Sequence, residues 1–302
     1  MTIGAFLVGR TAGKIHSPYS GTQKVYGSEL LDGMTLDKPS YEHCTFANIS
    51  FKGVTLTNGH FLNCAFIGCY FRNSDIKSSN FSSSRFINCE FPGISLSGCD
   101  FRYTRFVDCY VPFAEMEHNL PPEPNLREQL THNLAREAAA LGDSREARTY
   151  RLREIQAREA HYWAVILGNS RWYRDHYDAF ARLGIAFRLA GSLINGVVFG
   201  YGERLRVLVK NYLIATFVLF PILFYAISNG LSDRSKESAG FVNSSLRMAL
   251  EFSVKNAVVG ALESSVQAVG WTARLLAATE TILAAIWASL VAAYVVRWSI
   301  RR

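Results

Sequence analysis

The sequence predicts a β-helix followed by an α-helical connector and an α-helical transmembrane, pore-like module, and three observations carry that prediction. Large apolar residues recur at every fifth position from Phe46 to Val111. Pro121, Pro122 and Pro124 then break the pattern, and apolar residues resume at helical spacing. Two long apolar runs, Tyr212–Ser228 and Leu275–Val296, fill the last third of the chain.

The five-residue period comes first in the chain. Its main column reads Phe46, Phe51, Leu56, Phe61, Phe66, Phe71, Ile76, Phe81, Phe86, Phe91, Leu96, Phe101, Phe106, Val111. Tyr26, Leu31, Leu36 and Tyr41 continue it backwards. Neither a helix of 3.6 residues per turn nor an alternating strand repeats every five residues. Two positions before each large residue lies a second column of small or slender side chains. It holds Cys44, Cys64, Cys69, Cys89, Cys99 and Cys109, all six cysteines of the chain. Two positions after each large residue runs a column of turn formers from Asn48 to Asp108, mostly Asn, Gly and Ser. A coil that turns a corner every five residues satisfies all three columns. Two columns point inward, the third makes the corners, and four faces close a rung of about twenty residues. The cysteines are then expected as reduced core fillers; none shows the CxxC spacing of a zinc site.

These columns resemble the pentapeptide-repeat proteins, whose fold is a right-handed quadrilateral β-helix. The resemblance covers residues 26–111, with 1–25 as a lead-in. The Asp or Asn usual before the central residue survives here only at Asp75, Asn80 and Asp100.

Residues 112–206 read as a helical connector. Asn125 is a candidate N-cap for a helix striped by Leu126, Leu130, Leu134, Ala138 and Leu141. Gly142 and Asp143 separate it from a second helix reaching about Leu167, and a third is expected over about Trp172–Leu183. The stretch 185–200, apolar apart from Arg188 and Asn195, reads as an interfacial helix, with a further span as the alternative. The whole region resembles the connector of some bacterial pentapeptide-repeat channel proteins.

Residues 207–302 read as a two-span membrane module. Arg204, Arg206 and Lys210 precede the first run, and Arg297, Arg301 and Arg302 follow the second. Basic flanks at the entry and the exit place both termini in the cytoplasm of a bacterial inner membrane. The opening Met1–Tyr19 lacks an apolar signal segment, which predicts the same side. Between the runs, Leu231–Gly240 reads as a polar loop and Leu246–Val259 as a short helix. This layout, with the stretch Ala273–Glu280, resembles bacterial two-transmembrane potassium-channel-like domains. The resemblance implies a homo-oligomer, by analogy a tetramer. The filter loop Thr-x-Gly-Tyr-Gly is missing where that family carries it; Asn256–Glu263 stands there instead. The pore candidates are Lys255, Val258, Val259, Gly260, Glu263, Glu280 and Ala284. Glu280 interrupts an apolar run, where a carboxylate costs about 2.5–3.5 kcal/mol. It reads either as an anchor, paired for instance with backbone amides of the short helix, or as an ion contact. Ala277, Ala284, Ala285, Ala288 and Ala292 supply small residues for close helix contact.

Charge narrows the function. The net charge is +7, yet residues 1–120 carry ten basic and ten acidic side chains and are neutral. A DNA-mimicking role, which needs a strongly acidic surface, is disfavoured. The basic excess lies around the apolar runs and suits anionic lipid headgroups. No cofactor is expected, and no metal-ligand, P-loop or nucleophile motif suggests an enzyme. Two readings remain. One is an oligomeric ion channel, of open selectivity, gated or assembled by the β-helix in response to a cytoplasmic ligand or protein. A channel of this kind that depolarised the membrane would suit a defence or stress role. The other is a membrane-anchored scaffold that binds a protein partner without conduction.

Overall fold

The computed structural model describes residues 15, 19–227, 231–233, 246–259, 266–268 and 270–299. Two compact units result, Met1–Ala186 and Phe187–Arg302.

The first unit opens with a β-solenoid of about four turns. Three-residue strands pair in parallel with the strand twenty residues on: Gly21 with Tyr41, Tyr26 with Phe46, Leu36 with Leu56. Isolated bridges from Leu30 through Ser50, Tyr70 and Glu90 to Tyr110 make the remaining face. Pairing starts at Ser20, so the coil takes in residues ahead of Tyr26. The corner column from Asn48 to Asp108 has positive φ at every position, from 49° to 64° outside Gly93 at 68°. Asn, Ser and Asp tolerate this geometry through local polar contacts, and Gly through lack of a Cβ. At Gly68 the backbone needs both freedoms, because an added Cβ would lie 2.5 Å from Asn48 Oδ1.

The large column forms the core, where every member from Phe46 to Val111 is buried except Leu96, which is half-buried. Rings on one face stack rung on rung. Phe46, Phe66, Phe86 and Phe106 lie 4.9, 4.7 and 5.0 Å apart and within 11° of parallel. Each such pair is worth about 0.5–1.5 kcal/mol beyond the area it buries.

The second inward column has one shared chemistry. Cys64, Cys69, Cys89, Cys99 and Cys109 each direct Sγ at the carbonyl of the residue twenty-three positions back, at 3.4–3.5 Å. Ser84 and Thr104 make the same bond through oxygen, to Phe61 and Phe81. The site thus accepts any slender donor. All six cysteines are free and buried.

The last rung is closed by helices. After α1 (Phe113–Met116), α2 (Pro124–Ala140) and α3 (Ser144–Leu167) pack against it. Asn133 of α2 accepts from Phe106 N–H and donates to Phe106 C=O, replacing the missing next strand. Asn119 does the same between Cys99 N–H and Leu96 C=O. The α2 start departs from expectation: Pro124 holds the first helical position and Glu123 flanks it, so Asn125 is not the cap. Proline's fixed φ suits that place. Asp143 does cap α3, accepting from the amides of Arg145 and Glu146. The helix expected over Trp172–Leu183 is two. Helix α4 (Arg171–His176) stops at Tyr177, which is extended, and Asp178 accepts from Ala181 N–H to start α5 (Ala179–Phe199).

The second unit is helical. Its helices are the remainder of α5, α6 (Leu205–Ile214), α7 (Phe220–Ala226), α8 (Leu246–Val259) and α9 (Trp271–Ser299). A π-helical turn, Ala215–Leu219, joins α6 to α7. Three helical stretches are long and apolar enough to cross a bilayer: Ala179–Gly202, Leu205–Ala226 and Trp271–Val296, with mean hydropathies of 1.5, 2.0 and 1.8. The segment expected at 185–200 is therefore part of a longer helix, which starts at Ala179 rather than at Ile185 because Asp178 caps it. The Gly-Tyr-Gly at 200–202 is the tight left-handed turn between α5 and α6. Leu231, expected in a polar loop, is buried and begins a short strand, Leu231–Asp233, antiparallel to Val266–Ala268.

Candidate functional site

In the second unit, a buried polar cluster ties together the two apolar helices and the short helix between them. The buried face of α9 repeats at helical spacing through Ala273, Ala277, Glu280, Ala284 and Trp287. Small residues on either side of Glu280 let α8 come close enough to reach it. Glu280 is 1% exposed. Its Oε2 accepts from Asn256 Nδ2 at 2.8 Å, and its Oε1 contacts the Ser253 hydroxyl. Ser253 Oγ also reaches the Thr216 carbonyl at 2.8 Å, in the π-helical turn between α6 and α7. Asn256 uses its other amide hydrogen on the Ala277 carbonyl at 3.0 Å. Thr281 Oγ1 stands 3.2 Å from Asn256 Oδ1 and 3.0 Å from the Ala277 carbonyl, so its single hydrogen is shared between them. Next to Ser253 on α8, Phe252 meets Phe224 edge to face, with centroids 4.9 Å apart. Burial of this kind makes each polar group costly to leave unpaired.

Other sequence candidates lie outside this cluster or contribute only surface. Ala284 is buried on the same face of α9. Lys255 is half-exposed and paired with Glu251 at 2.6 Å, one turn back on α8. Val258 is exposed, and Val259 ends α8. Gly260 and Glu263 lie outside the described residues. The backbone-amide partners expected for Glu280 are instead side chains of α8. Of the small-residue set, Ala277 and Ala284 face inward, whereas Ala285, Ala288 and Ala292 are exposed.

Ser253 and Asn256 are the functional candidates that the sequence reading missed. On α8, Leu246 and Leu250 are exposed while Ala249, Phe252, Ser253 and Asn256 are buried. The reason is physical. Within a bilayer apolar side chains can face outward freely, but polar ones need partners. Two polar residues at i and i+3, in a helix beside a run containing one carboxylate, were the available signal.

The β-helix core residues stand where the period placed them. Phe46, Phe51, Phe61, Phe66, Phe71, Phe81, Phe86, Phe91, Phe101 and Phe106 are all buried in one cluster.

Among known proteins, residues 39–117 match the family described as Pentapeptide repeat region. No curated protein matches the chain. Solved structures resembling it include a pentapeptide repeat protein from the Arabidopsis thaliana thylakoid lumen. That match has 17% identity over 28% of this chain and 62% of the other, with a TM-score of 0.24. A trypsin-treated form of QnrB1, a plasmid-mediated fluoroquinolone resistance protein, matches at 15% identity over 31% of this chain and 52% of its own, with a TM-score of 0.16. This chain thus spans less than two thirds of either relative. The chain carries a pentapeptide-repeat β-helix, and helices long and apolar enough to cross a membrane follow it.

Proposed function

We propose that the chain is one subunit of an oligomeric membrane ion pore, assembled or gated through its pentapeptide-repeat domain. The observation behind this reading is α8, a short helix fixed between two bilayer-length helices by the buried Glu280–Ser253–Asn256 cluster. A simple anchor has no need of a buried polar cluster that fixes a short helix between its spans. A pore does need a rigid element that enters between spans and positions a permeation path. The outward apolar side chains of α8, Leu246, Leu250 and Val258, provide a surface on which further copies can pack. The absence of a Thr-x-Gly-Tyr-Gly loop in the sequence argues for a pore other than a potassium-selective one. In the first unit, a cavity of about 330 Å³ is lined by Tyr103, Arg105, Gln129, His132 and Arg136. Its cationic lining suits an anionic cytoplasmic ligand as the gating signal.

The proposal is tested by reconstituting the purified chain in liposomes and following release of trapped potassium and sodium. Release that depends on the protein supports a pore. Sealed vesicles containing correctly inserted protein, with and without residues 1–120, would favour the anchored scaffold.

A further inference from the structure

The helix from Leu205 to Ala226 has a backbone deficit with a definite origin. In its π-helical turn, the Phe220 N–H bonds the Ala215 carbonyl five residues back. In that register the donor due to the Thr216 carbonyl is the amide of Pro221, and proline has no N–H. Ser253 on α8 makes up the deficit from 2.8 Å away.

The same hydroxyl also contacts Glu280 Oε1. A serine hydroxyl carries one hydrogen, a backbone carbonyl can only accept, and an ionised carboxylate can only accept. One hydrogen cannot serve both oxygens fully. With an ionised Glu280, either the Thr216 carbonyl or the carboxylate would be left short in a buried site. Asn256 already supplies the other oxygen, Oε2, and its second amide hydrogen is engaged by Ala277. Among the described residues no cation forms an ion pair with Glu280; Lys255 on α8 is held by Glu251.

We infer that Glu280 is a neutral carboxylic acid whose O–H donates to Ser253 Oγ, which in turn donates to the Thr216 carbonyl. The cluster is a proton-binding site, and the bound proton completes a chain of hydrogen bonds from α9 through α8 to the first apolar helix of the pair. Hydrogen bonds aligned in this way polarise and reinforce one another. A neutral acid also removes most of the penalty of placing a carboxyl group in an apolar helix. The inference concerns hydrogen positions inside one subunit, so it stands or falls separately from conduction.

Infrared difference spectra of the full chain in lipid vesicles at neutral pH test it. The wild type should show a carbonyl-stretch band of a protonated acid that is lost in Glu280→Gln and displaced in Ser253→Ala. Loss of carboxylate bands in Glu280→Gln, with no acid band in the wild type, would overturn the inference. If Glu280→Gln does not assemble, Ser253→Ala decides: a displaced acid band supports the proton site, and a displaced carboxylate band refutes it.

Discussion

Asn133 completes the β-helix by acting as a strand: its side-chain amide accepts from Phe106 N–H and donates to Phe106 C=O, both at 2.8 Å. The next rung would have made the same two bonds with its backbone. Replacing Asn133 by Ala leaves a donor and an acceptor at the end of a parallel stack, a ready edge for another chain. We expect Asn133→Ala to lower stability by about 1–3 kcal/mol and to promote self-association. Thermal unfolding and light scattering measure both; an unchanged midpoint without association would show that α2 does not need this contact.

Phe66 touches rings above, below and on adjacent faces, with Phe46 at 4.9 Å and Phe86 at 4.7 Å. Phe66→Ala should cost about 3–5 kcal/mol. Phe66→Asp buries an unpaired charge and should prevent the β-helix from folding. Circular dichroism and limited proteolysis report on it, and a folded Asp variant would contradict the core assignment.

The reach of the sequence follows from what each signal encodes. A five-residue period requires one geometry, so the core column, the inward cysteines and the left-handed corners could all be read from spacing. Glu280 was visible because a charge in an apolar run is rare. Its partners were less visible, since α8 carries apolar residues on both its buried face, at Phe252, and its exposed face, at Leu246, Leu250 and Val258. The role of the Thr216 carbonyl depends on a π-helical turn, and only Pro221 hints at it in the sequence. Helix starts were misplaced where a proline, as at Pro124, outweighed a better side-chain cap.

Burial pushes the Cys64 thiol up to about 12, whereas a thiol in an unfolded chain titrates near 8.5, a rough reference value. Below that reference both states hold the proton and Cys64 contributes its full share. As pH rises from there towards about 12, the unfolded chain loses the proton first, so folding is progressively disfavoured. Cys64→Ser keeps a donor for the Tyr41 carbonyl, as Ser84 does for Phe61 one rung on. Unfolding midpoints should therefore fall less steeply at alkaline pH in the Ser variant than in the wild type. Equal slopes would contradict the burial of this thiol.

Helix α5 has two faces. Phe180, Leu183, Phe187, Ile194 and Val197 form an exposed apolar arc, and Arg188, Ser192 and Asn195 lie on the other side. This pattern suits a helix lying in the headgroup region better than one surrounded by lipid. We propose that only the two later apolar helices cross, which would put both ends of the chain on one side. Cysteines introduced at Leu141 and Arg302 should react with an impermeant reagent from the same side of sealed vesicles. Labelling from opposite sides would make α5 a third crossing.

The most direct test of the central claim is current through single molecules of the purified chain in a planar bilayer, under asymmetric KCl and then NaCl. The account predicts discrete openings, with reversal potentials that reveal little preference for potassium over sodium and a unit conductance altered by Glu280→Ala. A silent bilayer from correctly assembled protein, still silent after removal of residues 1–120, would contradict the pore and leave the chain as an anchored scaffold.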